Sequence, residues 1–403
     1  ARSAHGHAME FFTRALDQIA TLPASDDRDT AELYVRSALG PTLVAIKGWF
    51  DPSVSENYER ALALCGTDSL RTEAAAARYG LATVSELRGQ FERTEALLAP
   101  LLSPDAPGHL ALEAHELVAC STFHQGAFDR SLRTATEVLQ SWDADTYSVL
   151  MARIAEHPAS SCSSWSSLAL WALGRSDDSL ELAERAVDLG EQNLYALSTA
   201  VQQRAMLHQL RNEPEACIEW SKRCRQVGED QNFPMRAIQA DIYMGWAEAA
   251  VGDPERGVER IDHGLRRFRD AGATLNEAYY LGMYADALMR GGDHERAGAL
   301  LNEALAGSTS RTYFYEAELH RLRGRSRLAA GDVDGARDEF DHALDIARTQ
   351  GAAALELRAL LDRFELADDD TATWRSALES AARVYDGQRP VPDAERARRL
   401  LSA

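Results

Sequence analysis

Seven tight turns, recurring about every forty residues, constrain this chain more than any other feature of its sequence. They open the segments GQFERTEALLAPLL at Gly89, GAFDRSLRTATEVL at Gly126, GRSDDSLELAERAV at Gly174 and NEPEACIEWSKRC at Asn212. The series continues with GDPERGVERIDHGL at Gly252, GDHERAGALLNEAL at Gly292 and GDVDGARDEFDHAL at Gly331, the spacings being 37, 48, 38, 40, 40 and 39. Glycine accepts the left-handed backbone that ends one helix, and a following Asp caps the next. After each turn small and apolar residues recur at helical spacing, as Ala336, Phe340, Ala343 and Leu344 do after Gly331. A second amphipathic stretch rich in Ala, Leu and aromatics precedes each turn. The unit is therefore helix, turn, helix, and no alternating β-branched run competes with it. One such unit cannot bury its apolar face alone, whereas a stack shares a continuous core. The sequence predicts an all-α superhelical solenoid of about ten antiparallel helix pairs.

Charge narrows the partners. Lys plus Arg number 43 against 63 Asp plus Glu, a formal net charge of −20, which opposes generic binding to a phosphate backbone. Cys65, Cys120, Cys162, Cys217 and Cys224 are odd in number and contain no C-x-x-C pair, so a disulfide framework or zinc ribbon is not expected. No apolar run approaches the roughly 20 residues a membrane helix needs, and no signal core opens the chain. The expectation is a cytoplasmic protein with neither nucleic acid nor membrane as a direct partner.

The repeats resemble a known family. Gly331, Asp332, Ala336, Phe340 and Ala343, with Gly324 on the preceding helix, are similar to the tetratricopeptide pattern of small residues where paired helices touch. The second helices run into Gly190, Gly228, Gly272 and Gly351, as in longer-helix variants. The resemblance implies a right-handed solenoid. Segments 205–217, 243–273 and 315–332 resemble the carboxy-terminal repeats of large bacterial signalling proteins, in which a cyclase-type output domain and a STAND-type signal-transduction ATPase precede such repeats. Residues 39–49 and 55–65 resemble the start of the same region. The resemblance implies a non-catalytic regulatory module that binds a protein, a peptide or a small effector and acts on an upstream ATPase or output domain. A similar repeat region also serves as the inducer-binding arm of maltose-regulator-type transcription activators, and a stand-alone scaffold or metal-binding protein is the third alternative.

Motifs for chemistry are sparse. GPTLVAIKGW lacks the spacing of a phosphate-binding loop, H-E-x-x-H is absent, and no cofactor is implied. Glu116, Cys120 and His124 share one side of a helix at i, i+4 and i+8, a metal-like set for which a small buried Cys beside a polar flank is the better reading. Cys217 and Cys224 read as packing, and His320 as a capping or inter-repeat hydrogen-bonding residue. The basic runs 222–225, 266–269, 321–327 and 396–399 read as solvated faces or helix ends, except that 321–327 lies on a first helix.

In this family first helices line the concave groove. With Gly252, Gly292 and Gly331 taken as equivalent, offsets place Gln202, Met206 and Gln209 in one unit and Gln239, Ile242 and Trp246 in the next. Tyr279, Asp286 and Arg290 follow, then Glu318, Arg321 and Arg325. Aromatics, amides and Arg in a concavity suit a peptide or polar small molecule. The 141–167 stretch lengthens one repeat and holds Pro158, so the chain divides softly into pairs over 1–157, pairs over 158–388 and a capping helix over 389–403, within one continuous solenoid. Residues 10–22 read as a second helix lacking its first, with an exposed apolar edge.

Overall fold

The computed structural model describes residues 2–66, 72–106, 108–143, 157–307, 313–366 and 371–402. Among these residues there are twenty α-helices and no strand. A leading helix α1 (Arg2–Ala20) is followed by the pairs α2 (Asp26–Lys47) with α3 (Pro52–Leu64) and α4 (Thr72–Leu87) with α5 (Phe91–Leu98). Next come α6 (Gly108–His124) with α7 (Phe128–Ser141), α8 (Pro158–Ala172) with α9 (Ser176–Gly190), and α10 (Leu194–Leu210) with α11 (Pro214–Asp230). The second half holds α12 (Pro234–Ala250) with α13 (Pro254–Asp270), α14 (Glu277–Arg290) with α15 (His294–Ala306), and α16 (Glu316–Ala329) with α17 (Val333–Thr349). Helices α18 (Ala353–Glu365), α19 (Thr371–Arg383) and α20 (Pro392–Ser402) close the chain.

All seven turn positions adopt positive φ, from 58° at Asn212 to 111° at Gly252, so the residue type that organises the sequence also supplies the backbone conformation. Asp253, Asp293 and Asp332 then cap α13, α15 and α17 by accepting a backbone N–H three residues on. Pro158 is the first residue of α8 and opens it rather than breaking a helix, its fixed φ suiting that position. Residues 144–156 of the lengthened repeat lie outside the described residues. Helix α8 packs on both α6 and α7, and one apolar cluster runs from Phe123 to Leu355.

Within a unit the small residues set the approach distance. A Cβ on Gly324 would sit 2.5 Å from the ring of Phe340, which is fully buried. The first helices α12 and α14 are enclosed on every side: each residue from Ala237 to Ala249 and from Ala278 to Leu288 is buried. Second helices are one-sided, α13 burying only Gly257, Ile261, Gly264, Leu265 and Phe268.

The solenoid coils tightly enough that its second coil rests on its first. Leu275 N–H and the Thr274 hydroxyl reach the Leu87 carbonyl at 3.2 and 3.4 Å. The Gly126 turn lies against Gln350, and the Gly174 turn against Ala353, Val384 and Tyr385. Gln388 binds the start of α9 through Ser176 N at 2.6 Å and Gly174 O at 2.9 Å, 212 and 214 residues away in sequence. The C-terminal helices thus do more than cap. Leu378 and Tyr385 are buried, Trp374 receives the Arg363 guanidinium at 4.2 Å, and the loop before α20 clasps the middle of the chain. At the other end, Phe12 packs into a local core while Phe11 is 69% exposed.

Candidate functional site

The offsets read from the turns bring the expected residues together on successive first helices, and the coiling then encloses them. Gln202, Met206, Gln209, Gln239, Trp246, Tyr279, Asp286, Glu318 and Arg321 are all buried, as is Ile242; Arg290 and Arg325 are exposed. In place of an open concavity there is a ladder of polar contacts between neighbouring units. The Gln202 amide donates to the Tyr243 hydroxyl at 2.8 Å, and the Gln239 amide to that of Tyr280 at 3.1 Å. Trp246 Nε1 donates to Asp286 at 3.0 Å, which also accepts from Arg290 Nε at 3.0 Å. Tyr279 donates to Gln209 at 2.6 Å, across two units. Burial pushes the phenols of Tyr243, Tyr279 and Tyr280 up, so they stay neutral. Aromatics fill the axis beside them: Phe314 lies 4.9 Å from Phe123 and 5.5 Å from Tyr279 between ring centres.

The ladder ends in a box of charges. Arg321 forms a two-pronged pair with Glu318 at 2.7 and 2.8 Å and a second pair with Asp362. Arg358 donates to Asp393 at 2.6 Å and to the Leu210 carbonyl, and its guanidinium lies 5.7 Å from the Trp171 ring. Burial alone would favour the neutral acid, but Arg321 and Arg358 outweigh it and hold the Glu318 carboxyl down at about 2. Arg321 is therefore an internal partner, whereas Arg325 of the same run is exposed. Arg323 and Arg327 of the same run pair with Glu339. The other runs are likewise neutralised, Arg225 and Arg267 by Asp241, Arg269 by Glu277 and Glu303, and Arg396 by Asp362 and Glu365. Beside the box is a cavity of about 10 Å³, room for roughly one water, lined by Trp171, Ser176, Arg211, Tyr385, Val391 and Asp393 among others.

The remaining candidates resolve locally. Cys217 and Cys224 are fully buried with thiols pushed up to about 12 by burial, as packing residues should be. His320 bonds Glu339 at 2.8 Å, which joins the two helices of one unit rather than neighbouring units. Glu116 does not complete the Cys120–His124 set: its oxygens accept from the Tyr79 hydroxyl at 3.0 Å and from the Ser161 hydroxyl. Glu86 takes that place, its Oε1 lying 3.2 Å from His124 Nδ1. Sequence offsets could have found it, because Glu86 stands three residues before one turn glycine and His124 two before the next. Arg358 and Gln388 had no such signal, since the Leu210 carbonyl and the start of α9 that they reach lie on another coil.

No protein-family model matches the chain, and no curated protein matches it by sequence. By structure it is similar to a Rap protein complexed with Competence and Sporulation Factor, at 12% identity and a TM-score of 0.61, covering 87% of this chain and 99% of that one. It is similar to the Rap conjugation gene regulator of the plasmid pLS20 in complex with the Phr* peptide, at 10% identity and a TM-score of 0.51, over 86% and 96% of the two chains. NprR in complex with its cognate peptide NprX matches at 13% identity and a TM-score of 0.50, over 78% and 93%. The fold is an all-α, tetratricopeptide-like helical-repeat solenoid. No described helix is long and apolar enough to cross a membrane.

Proposed function

We propose that the chain is a non-catalytic interaction and effector-sensing module, the regulatory region of a larger bacterial signalling ATPase or cyclase, and that its effector is a peptide or protein segment. The observation that carries this reading is the inner ladder, where Gln202, Gln209, Gln239, Tyr243, Tyr279 and Tyr280 satisfy one another inside the coil. A wholly apolar wall would offer a peptide backbone no hydrogen-bond partners. Amides and hydroxyls paired with each other can exchange those bonds for bonds to a peptide backbone at little net cost, because each bond is worth only about 1 kcal/mol net. An effector would then act by favouring a more open coil, provided it binds that state better than the closed one. Each unit touches mainly its neighbours, so small changes at successive interfaces add up to a large end-to-end displacement. The peptides in the NprR and pLS20 Rap complexes make a peptide the first class to test.

The test is a displayed-peptide selection on the folded chain, followed by amide hydrogen exchange and small-angle scattering with the selected peptide. Binding should alter exchange along α10, α12 and α14, and Gln209→Ala and Gln239→Ala should weaken it. A peptide whose footprint falls only on the second helices would refute the reading, as would a parent protein whose regulation survives deletion of these repeats.

A further inference from the structure

We propose that Glu86, Cys120 and His124 form a buried site for one thiolate-preferring divalent metal ion, Zn²⁺ first among them. Glu86 comes from the last turn of α4, and Cys120 and His124 from the end of α6, the next first helix in the stack. The sulfur lies 3.7 Å from His124 Nδ1 and 3.7 Å from Glu86 Oε1, and those two atoms are 3.2 Å apart. For Zn²⁺ with bonds of about 2.3 Å to sulfur and about 2.0–2.2 Å to nitrogen and oxygen, tetrahedral edges are about 3.6, 3.6 and 3.4 Å. The three donors already form a triangle of the size of one face of that tetrahedron.

One further observation points to a ligand. Glu86 and His124 are each 1% exposed, and both Glu86 Oε2 and His124 Nε2 are buried with no hydrogen-bond partner. A histidine–carboxylate hydrogen bond, with Nδ1–H shared between Glu86 and the Cys120 carbonyl at 3.0 Å, leaves Glu86 Oε2 desolvated and unpaired. A metal on Nδ1 takes the first carboxylate oxygen as a donor and has the orphaned second one available as its fourth. Charge favours this outcome too. An M²⁺ ion held by one thiolate, one carboxylate and a neutral imidazole is neutral overall, the state a buried site tolerates best. Loading forms the S–M bond as the Cys120 S–H breaks and its proton leaves to solvent; His124 binds as the tautomer protonated on Nε2. Around the imidazole stand Phe91, Phe123, Trp165 and Phe314, with ring centres 5.1 to 6.2 Å away, which exclude competing water. The ion would tie α4 to α6 one residue from Leu87, whose carbonyl receives the contact from the second coil.

The test uses the whole chain, refolded from denaturant with Co²⁺ and desalted. The expected result is one Co²⁺ per chain, a near-ultraviolet thiolate charge-transfer band and intense visible bands of a four-coordinate ion. Cys120→Ser should lose the charge-transfer band. Failure of the native chain to retain Co²⁺ at one equivalent overturns the proposal, and so does a charge-transfer band that persists in Cys120→Ser, since another cysteine would then be its source. If Cys120→Ser does not fold, X-ray absorption of the Zn²⁺-loaded native chain decides: one sulfur with nitrogen and oxygen supports the site, and a shell without sulfur overturns it.

Discussion

Replacing Gln388 by Ala should loosen the start of α9, more than two hundred residues away in sequence. Arg175, which precedes that helix, makes no side-chain cap bond. Gln388 Oε1 supplies the cap instead, accepting Ser176 N–H at 2.6 Å and Asp177 N–H at 3.3 Å. Its amide nitrogen donates to Gly174 O at 2.9 Å and Val384 O at 2.8 Å, so a single side chain binds both coils. Losing a cap costs about 0.5–2 kcal/mol. The other two bonds add about 1 kcal/mol each at most, and Ala recovers up to about 2 kcal/mol of side-chain entropy. Gln388 is half-exposed, so water replaces part of what is lost. The net cost is about 1–2 kcal/mol, a factor of roughly 5–30 in a local opening equilibrium. Amide hydrogen exchange at Ser176 and Asp177 should accelerate by that factor. Exchange at the start of α13 should not change, because its cap is its own Asp253 and the Gly252 turn faces open space. Unchanged exchange at Ser176 and Asp177 would refute the clasp, and equal acceleration in both helices would show a global loss of stability instead.

Gly324→Val should destabilise the α16–α17 pair by about 1–3 kcal/mol, since the added carbons meet the buried Phe340 ring and overpack a filled core; Phe340→Ala in the same background should recover part of the loss, as chemical denaturation would show. Glu318 should make the chain acid-sensitive. Its folded value of about 2 lies below its ordinary 4.5, so its contribution, on the order of 3 kcal/mol, is complete above about pH 5 and drains away as pH falls toward 2. Thermal melts across that window should show a slope that Glu318→Gln flattens, and a slope of equal size in the variant would assign acid sensitivity to other carboxylates.

The sequence by itself determined the elements and their neighbours. Turn glycines at near-constant spacing fixed where helices end, and the Gly324–Phe340 pairing followed from small residues facing large ones. Offsets from those turns placed Gln239 opposite the next unit's tyrosines and Asp286 within reach of Trp246. Such contacts are local in the stack, so a periodic code suffices to write them. Whether the inner wall would be open or closed was not legible in the same way. The pitch of the coil is the sum of small rotations at every interface, and no single residue encodes it. Only the tertiary structure therefore placed Arg358 on the Leu210 carbonyl and set Gln388 on the start of α9. The same summation decided that residues of the expected concave surface are buried and satisfy one another between neighbouring units.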